Sequence, residues 1–206
     1  MIYILLIVNF LFSIESQFLL NDLYKQNQWV EYSVTNDNKI IYESSKNHEA
    51  GKYIKVIKKI DYSKLEIFNK IKSIFDYNQI ISNKNVNTRL ILQDKDTLYA
   101  YQKISNSIPF VRDRQYIFKM YQVNDKRLDW YMLDKNHYLL KTYLSDNVHT
   151  LTYGAGSWYV DANNLINRTF VDDEVNLPNS FLHKIRISNM TAIFDDIINS
   201  LIKEEN

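Results

Sequence analysis

Apolar and polar residues alternate along most of this 206-residue chain, which is the pattern of strands that bury one face and expose the other. Strands are predicted at 29–35, 39–43, 51–60, 88–93, 97–104, 114–123, 127–133, 138–144, 150–160 and 165–175. The separators between the later strands, such as Asp94-Lys95-Asp96, are short and polar, as in hairpins. We therefore expect one antiparallel sheet arranged as a long meander.

The period changes to that of a helix at Ser63. Ser63 and Glu66 have the spacing of a capping box, and an apolar stripe follows at steps of three and four residues: Leu65, Phe68, Ile71 and Phe75. Residues 76–87 show no period, so they are predicted to form a surface loop. Residues 17–26 have a short helical spacing, and we expect them to cover one edge of the sheet.

A long amphipathic helix is predicted to begin near Pro178, because proline is tolerated in the first turn of a helix. Ser188 and Asn189 mark a point where a bend is expected. The predicted apolar face contains Phe181, Ile185, Ala192, Ile193, Ile197 and Leu201. A long helix that packs on an antiparallel sheet is an α+β arrangement, here in two layers.

The amino-terminal run 2–12 is apolar but shorter than the roughly 20 residues of a membrane-spanning helix. Small and polar residues follow at 13–16, so the run is predicted to be a signal peptide that is cut near Ser16. Residues 17–206 would then form one exported domain. No Lys or Arg precedes the run, and two alternatives stay open: an uncleaved membrane anchor, and a first strand or helix buried in the domain.

Composition narrows the classes of function. The net charge is +1, which lacks the basic excess expected of a protein that binds nucleic acid. There is no Cys, so thiol nucleophiles, disulfides and cysteine metal ligands are excluded. No metal, cofactor or catalytic set is predicted, because the four histidines are far apart and show no metal-binding spacing: His48, His137, His149 and His183.

One charged residue, Arg114, stands within an otherwise apolar pattern. Strand alternation places it on the same face as Tyr116, Phe118 and Met120, and this face is expected to point inward. A buried guanidinium needs an anionic or polar partner. The candidates are a ligand, or, in a purely structural ion pair, one of the carboxylates of Asp94, Asp96, Asp172 and Asp173.

Three segments resemble the START family of lipid-transfer domains. Arg114-Gln115-Tyr116 follows an apolar connection with a proline, as the family's Arg-Asp-aromatic motif does. Gly156-Ser157-Trp158-Tyr159-Val160 is similar to the family's glycine-tryptophan strand, and 173–178 resembles the turn before its final helix. The resemblance implies the helix-grip fold, in which a curved antiparallel sheet grips a long carboxy-terminal helix. It also implies that Arg114 faces an internal cavity, where it binds a lipid head group or an acidic side chain.

From this resemblance we expect a monomeric, non-enzymatic protein that binds a lipid or another hydrophobic molecule in a cavity closed by the last helix, with transient contact to a membrane surface. The residues expected to contact the ligand are Arg114, Tyr116, Phe118, Met120, Tyr99, Tyr101, Trp130, Trp158, Phe181 and Ile185. Two alternatives stay open. One is an enzyme of the polyketide cyclase type, which needs a His beside a carboxylate at the cavity; the other is a structural module with a solidly packed interior.

Overall fold

A single sheet is the central element of the fold. The computed structural model describes residues 15–45, 51–105, 112–172 and 178–204. Within them the sheet has the strand order β1-β2-β3-β10-β9-β7-β6-β5-β4, and the short β8 pairs in parallel with β6. The strands are β1 (Trp29–Val34), β2 (Ile40–Ser44), β3 (Ile54–Lys59), β4 (Val86–Asp94), β5 (Thr97–Ile104), β6 (Arg114–Asn124), β7 (Arg127–Met132), β8 (His149–Thr150), β9 (Gly154–Asp161) and β10 (Asn164–Val171).

Helices cover both faces of this sheet. In the described part of the chain they are α1 (Glu15–Lys25), α2 (Lys64–Lys72), α3 (Tyr77–Ile80), α4 (Tyr138–Tyr143) and α5 (Asn179–Glu204), and a 3-10 turn occupies Ile74–Asp76. We call the sheet face that packs against α5, α2 and α3 the inner face, and the opposite one the outer face. The predicted α+β class is confirmed.

The predicted meander is present only in part. The predicted order holds in the second half of the chain, where each strand pairs antiparallel with the next along the run β4, β5, β6, β7, β9 and β10. The first three strands do not extend this run from β4; instead, β3 pairs with β10. The reason is that two helices, α2 and α3, rather than a tight turn connect β3 to β4, which lies at the far edge of the sheet.

Two predictions of local structure are wrong. The segment predicted as a strand at 138–144 forms helix α4, in which Leu139 and Leu140 are both buried, a pattern that strand alternation does not produce. The ring Nδ1 of His137 caps this helix by accepting the Leu139 N–H at 3.3 Å. The segment predicted as a loop at 76–87 contains α3, which is anchored by buried Tyr77.

Helix α1 was predicted to cover one edge of the sheet. Instead, it lies across the outer face. Its residues Leu19 and Leu23 are fully buried, in a cluster with Ile117 of β6, Tyr131 of β7 and Ala155 of β9. The outer face of the sheet therefore covers the apolar side of α1. The domain consequently has three layers, not the predicted two.

Gln115 fixes the connection between α4 and β9. Its side chain is completely buried, and its Nε2 donates to the Ser145 carbonyl at 2.6 Å and to the Val148 carbonyl at 3.1 Å. The Oε1 atom accepts the Ser145 N–H at 3.1 Å. An amide can donate and accept at once, whereas a carboxylate only accepts. Gln115 therefore satisfies both kinds of backbone group in this connection.

Helix α5 begins as predicted, after Pro178, whose carbonyl accepts the Phe181 N–H at 2.9 Å. Its buried side, however, differs from the predicted stripe. Phe181 is 46% exposed, because at 3.6 residues per turn it lies about 160° around the helix from buried Ile197. Ile185 is about 120° away from Ile197 by the same measure. Ile197 and Leu201 are buried as predicted, and the other buried apolar side chains of the helix are Leu182, Ile187, Met190, Phe194 and Ile198.

Helix α2 begins at the predicted capping box. The Ser63 Oγ accepts the Glu66 N–H at 3.3 Å, and the Glu66 Oε2 accepts the Ser63 N–H at 2.8 Å. Phe68 and Ile71 are buried as predicted, but Leu65 is 70% exposed. The buried side of α2 is completed by Ile67, which the predicted stripe left out.

The predicted signal peptide at 2–12 lies outside the described residues, so export and cleavage stay predictions. Ser16 lies in the first turn of α1, is 5% exposed, and donates to the Thr152 carbonyl at 3.1 Å. None of the helices in the described part of the chain combines the length and the apolar character that a bilayer span requires.

Ser63→Ala removes the acceptor for the Glu66 N–H. We expect the free energy of unfolding to fall by about 1 kcal/mol, the usual cost of a lost helix cap. Urea unfolding followed by circular dichroism measures this change. Ser63→Thr keeps the hydroxyl acceptor and serves as the control, and an equal loss in both variants would contradict the capping role.

Candidate ligand-binding cavity

A cavity of about 200 Å³ lies between α5 and the inner face of the sheet. Strands β6, β7 and β9 supply aromatic and thioether side chains to its wall, and α5 supplies aliphatic and thioether groups. Apolar residues that these four elements contribute include Phe118, Met120, Trp130, Trp158, Met190 and Ile193. An apolar wall with a few polar groups is typical of small-molecule sites.

Two tryptophans shape this wall. The Trp130 indole lies against Gly156 of the neighbouring strand, where a Cβ atom would be 2.6 Å from the indole Nε1. Any larger residue at 156 would therefore displace the indole. Trp158 stacks on Phe194 of α5, with ring centroids 5.6 Å apart and planes inclined by 24°. This stack joins the helix to the sheet at one side of the cavity.

A buried polar chain crosses the wall at β5 and β6. The Tyr116 hydroxyl donates to the Gln102 Oε1, and the Gln102 Nε2 donates to the Thr88 Oγ1 at 2.8 Å. Tyr116 and Gln102 both line the cavity. Because Gln102 is held through its carbonyl and its amide, the Tyr116 hydroxyl has a fixed position in the wall.

Cationic groups lie at one end of the cavity. Arg186 of α5 lines the cavity and is 9% exposed, and its guanidinium Cζ lies 5.7 Å from the centre of the Phe170 ring. Lys52 lines the same end and pairs with Glu43 of β2. Gly51 has φ of 137°, and a Cβ there would be 2.4 Å from the Arg186 Nη1. Glycine therefore gives both the backbone conformation and the space that this guanidinium requires.

Glu43 joins this end of the cavity to the first turns of α5. Its Oε1 accepts from Lys52, and its Oε2 lies 2.8 Å from the His183 Nε2. Burial by itself raises the pKa of the Glu43 carboxyl, but the hydrogen bonds from Lys52 and His183 outweigh burial and hold the pKa below its usual value.

Two further polar contacts hold α5 against the rest of the domain. Asp195 forms an ion pair with Lys39, whose side chain is almost completely buried. Asp196 accepts the Ser82 N–H at 2.8 Å and the Ser82 hydroxyl at 3.0 Å. The helix is thus attached by directional contacts near both ends of the cavity, in addition to its apolar side.

The arrangement of these elements matches solved structures. A STAR-related lipid transfer protein from Xanthomonas axonopodis superposes with a TM-score of 0.67 at 10% identity, over 85% of this chain and 99% of that one. Human StAR-related lipid transfer protein 5 gives a TM-score of 0.67 at 10% identity, over 97% of this chain and 99% of that one. This chain has the START fold. The helix-grip architecture implied by the sequence resemblance is therefore confirmed.

The same fold carries a second kind of protein. The Zhui aromatase/cyclase from Streptomyces sp. R1128 superposes with a TM-score of 0.53 at 7% identity, over 75% of this chain and 95% of that one. No family model matches this sequence, and no curated protein matches it. Because the fold alone is shared at such low identity, function has to be inferred from the site itself.

The START fold brings together half of the residues predicted to contact a ligand. Tyr116, Phe118, Met120, Trp130 and Trp158 all line the cavity. Their alternation along the strands is the signal that placed them together. Ligand contact by these residues stays a prediction.

The other predicted residues lie elsewhere. Tyr99 and Tyr101 belong to the cluster on the outer face, because they point to the opposite side of β5 from Leu98 and Ala100. Phe181 and Ile185, in the first two turns of α5, are not among the described residues that line the cavity. Their predicted place in the wall is therefore not supported by their position.

Arg114 is not among the described residues that line the cavity. It is the first residue of β6 and pairs with Ile104 at one end of β5. Asp94 and Asp96 lie beyond the other end of β5, about 20 Å away at roughly 3.3 Å per residue, which excludes both as partners. Asp173, another predicted partner, lies outside the described residues.

The described histidines also lie away from the cavity wall. His137 caps α4, His149 belongs to β8, and His183 contacts Glu43 without lining the cavity. His48 lies outside the described residues. No group of three or more His, Asp or Glu side chains in the described ranges is arranged to hold a metal ion.

Arg186 is the functional candidate that the sequence pattern missed. Although it is charged, it lies only about 20° around the helix from buried Ile197 at 3.6 residues per turn. Counting back from Ile197 at 3.6 residues per turn would have placed Arg186 on the buried side of the helix. Lys52, by contrast, precedes β3, and no periodicity in the sequence indicates that it borders the cavity.

Glu43→Gln is expected to lower the free energy of unfolding at pH 7 by about 1 kcal/mol, because it removes a charge-assisted acceptor from Lys52 and His183. The folded-state pKa of Glu43 lies below its usual value of 4.5, so the carboxylate stabilises the fold above that pH. The stability difference should disappear as the pH falls through the folded-state pKa.

Chemical denaturation at a series of pH values measures this difference. Glu31→Gln on β1 is the matched control, since Glu31 is exposed. If the two variants lose stability equally at pH 7, the attachment through Glu43 is contradicted.

Proposed function

We propose that this protein binds a lipid or another hydrophobic molecule, without transforming it, in the cavity beneath α5. The apolar-walled space between α5 and the sheet carries the proposal. The START fold is consistent with it, since solved proteins of this fold include lipid transfer proteins. The third reading from the sequence, a solid structural module, predicts an interior without a void of about 300 Å³ or more. The cavity is smaller than this, so the structural module stays an alternative.

The size of the cavity bears on how a ligand enters. A volume of about 200 Å³ is smaller than the range of about 300–1,000 Å³ that is usual for ligand pockets. A molecule with a long acyl chain therefore requires the space to widen. We propose that α5 moves away from the sheet when ligand enters, and that it acts as a lid.

The amino-terminal half of α5 is the part proposed to move. It borders the cavity through Arg186 and Met190 and so has empty space beneath it. The carboxy-terminal half packs through Phe194 and Ile197, which are fully buried. Movement of the first half breaks the contact between His183 and Glu43. The second half stays in place, and the first half moves relative to it.

An enzymatic function of the cyclase type remains the alternative because the fold is shared with an aromatase/cyclase. Acid–base catalysis requires an ionisable pair that faces the substrate. The pair formed by His183 and Glu43 is within hydrogen-bond distance but does not line the cavity. The geometry of the described residues therefore favours binding over catalysis.

The proposed function is tested by uptake of lipid. Delipidated protein is mixed with vesicles that contain fluorescent fatty acid or phospholipid, and bound lipid is identified by native mass spectrometry. We expect saturable uptake of one molecule per chain. Ile193→Trp, which fills the cavity, should reduce uptake more than tenfold, whereas Leu65→Trp on the exposed side of α2 should not. Absence of bound lipid in both assays would overturn the proposal.

Motion of α5 is tested by a reversible cross-link. The chain has no Cys, so Glu43→Cys combined with His183→Cys provides a unique pair of thiols for a short, reducible cross-linker. Cross-linked protein should take up lipid at least tenfold more slowly, because the first half of the helix is tied to β2, and reduction should restore the rate. Each single-cysteine variant treated in the same way is the control. Uptake at an unchanged rate by cross-linked protein would show that α5 is not the lid.

A further inference from the structure

We propose that the cavity selects an amphiphile with an acidic head, either a carboxylate or a phosphate, and that this head binds at the end formed by Arg186 and Lys52. This inference rests on the proposed function and adds the chemical class of the ligand. It is carried by the uneven distribution of charge along a mostly apolar cavity.

The first observation is the position of Arg186. Its side chain is 9% exposed and lines the cavity, so its guanidinium is removed from bulk water. A guanidinium is always charged and has five N–H donors, so it can hydrogen-bond to more than one oxygen at a time. Its planar fork also matches the geometry of carboxylate and phosphate oxygens.

The second observation is the surroundings of this guanidinium. Gly51, with its positive φ, leaves room for the Arg186 Nη1, and the Phe170 ring lies beneath the guanidinium. Lys52, the next residue in the chain, lines the same end of the cavity. Two cationic side chains from separate elements, one from α5 and one from the segment before β3, thus converge at one end.

The third observation is the opposite end. Asp196 lines the cavity there, beside Asn83, and its carboxylate accepts two hydrogen bonds from Ser82. It lies ten residues after Arg186 on the same helix, a distance of about 15 Å along the axis. An acidic head would be repelled at this end and attracted at the other. The charge distribution therefore gives the ligand a defined orientation.

Between these ends the wall can accommodate a hydrocarbon chain. Met190 and Ile193 of α5 face Phe118 and Trp130 across the space. The amide of Asn167, which is 3% exposed and lines the cavity, is a further polar group within reach of a bound molecule. The arrangement is thus a cationic end followed by an apolar passage.

The test compares ligands that share one chain and differ in the head: decanoate, decyl phosphate and decanol, each below its micelle concentration at pH 7.5. Their binding is measured by displacement of the uncharged fluorophore N-phenyl-1-naphthylamine. An apolar cavity without a cationic end prefers decanol, because burial of an unpaired anion is costly. We expect the reverse order, with decanoate or decyl phosphate bound at least tenfold more tightly than decanol.

Variants locate the effect. Arg186→Gln should remove the preference for the acids while the affinity for decanol stays within about twofold, which also shows that the variant is folded. Lys52→Gln should reduce the preference by a smaller factor, because Lys52 is partly neutralised by Glu43. Lys184→Gln, at an exposed position two residues earlier on the same helix, is the matched control and should leave the preference unchanged.

The outcomes separate the two proposals. If neither the fluorophore nor any of the three ligands binds, the proposed function fails. If decanol binds as tightly as the acids, the inference of an acidic head group is overturned and the proposed function is not. If the acids keep their preference in Arg186→Gln and Lys52→Gln, the head binds elsewhere and the assignment to this end is wrong. A preference for one of the two acids distinguishes a carboxylate head from a phosphate head.

Discussion

The packing of α5 against the inner face of the sheet is the interaction on which both the core and the cavity depend. On one side of the helix, Phe194 stacks on Trp158, and Ile197 is fully buried. Beside these packed residues, Arg186, Met190 and Asp196 border the cavity. One helix therefore contributes both to a solid core and to the wall of an unfilled volume. The cavity is a consequence of this uneven packing.

Uneven packing also explains why charged groups are found in the interior. A buried ion is costly unless it is paired or hydrogen-bonded, and several charged groups at α5 have such partners on other elements. Lys39 pairs with Asp195, and Lys52 pairs with Glu43, which also contacts His183. These contacts are directional but individually modest in free energy, so they can fix a helix in one position and still be broken when it moves.

Local features were predictable where the signal depends on neighbours in sequence. The capping box at Ser63, the strand at 97–104 and the start of the last helix after Pro178 are all determined by residues a few positions apart. Helix α4 was mistaken for a strand because six residues are too few to distinguish one period from another. The pairing of β3 with β10 joins residues that are about a hundred positions apart, and no local pattern encodes it.

By itself the sequence determined the α+β class, the resemblance to START domains and the aromatic strands whose alternation places Phe118 and Trp130 in the cavity wall. Only the tertiary structure decided which cation borders the cavity. Arg114 lies in a segment that resembles a START motif, but it is the first residue of β6 and does not line the cavity. Arg186 lies in a helix segment without such a motif, and its side chain does line the cavity. The physical reason is that the packing of all residues of a helix determines which of its sides is buried. A single charged residue on that side is buried with the others when the apolar contacts around it are favourable enough.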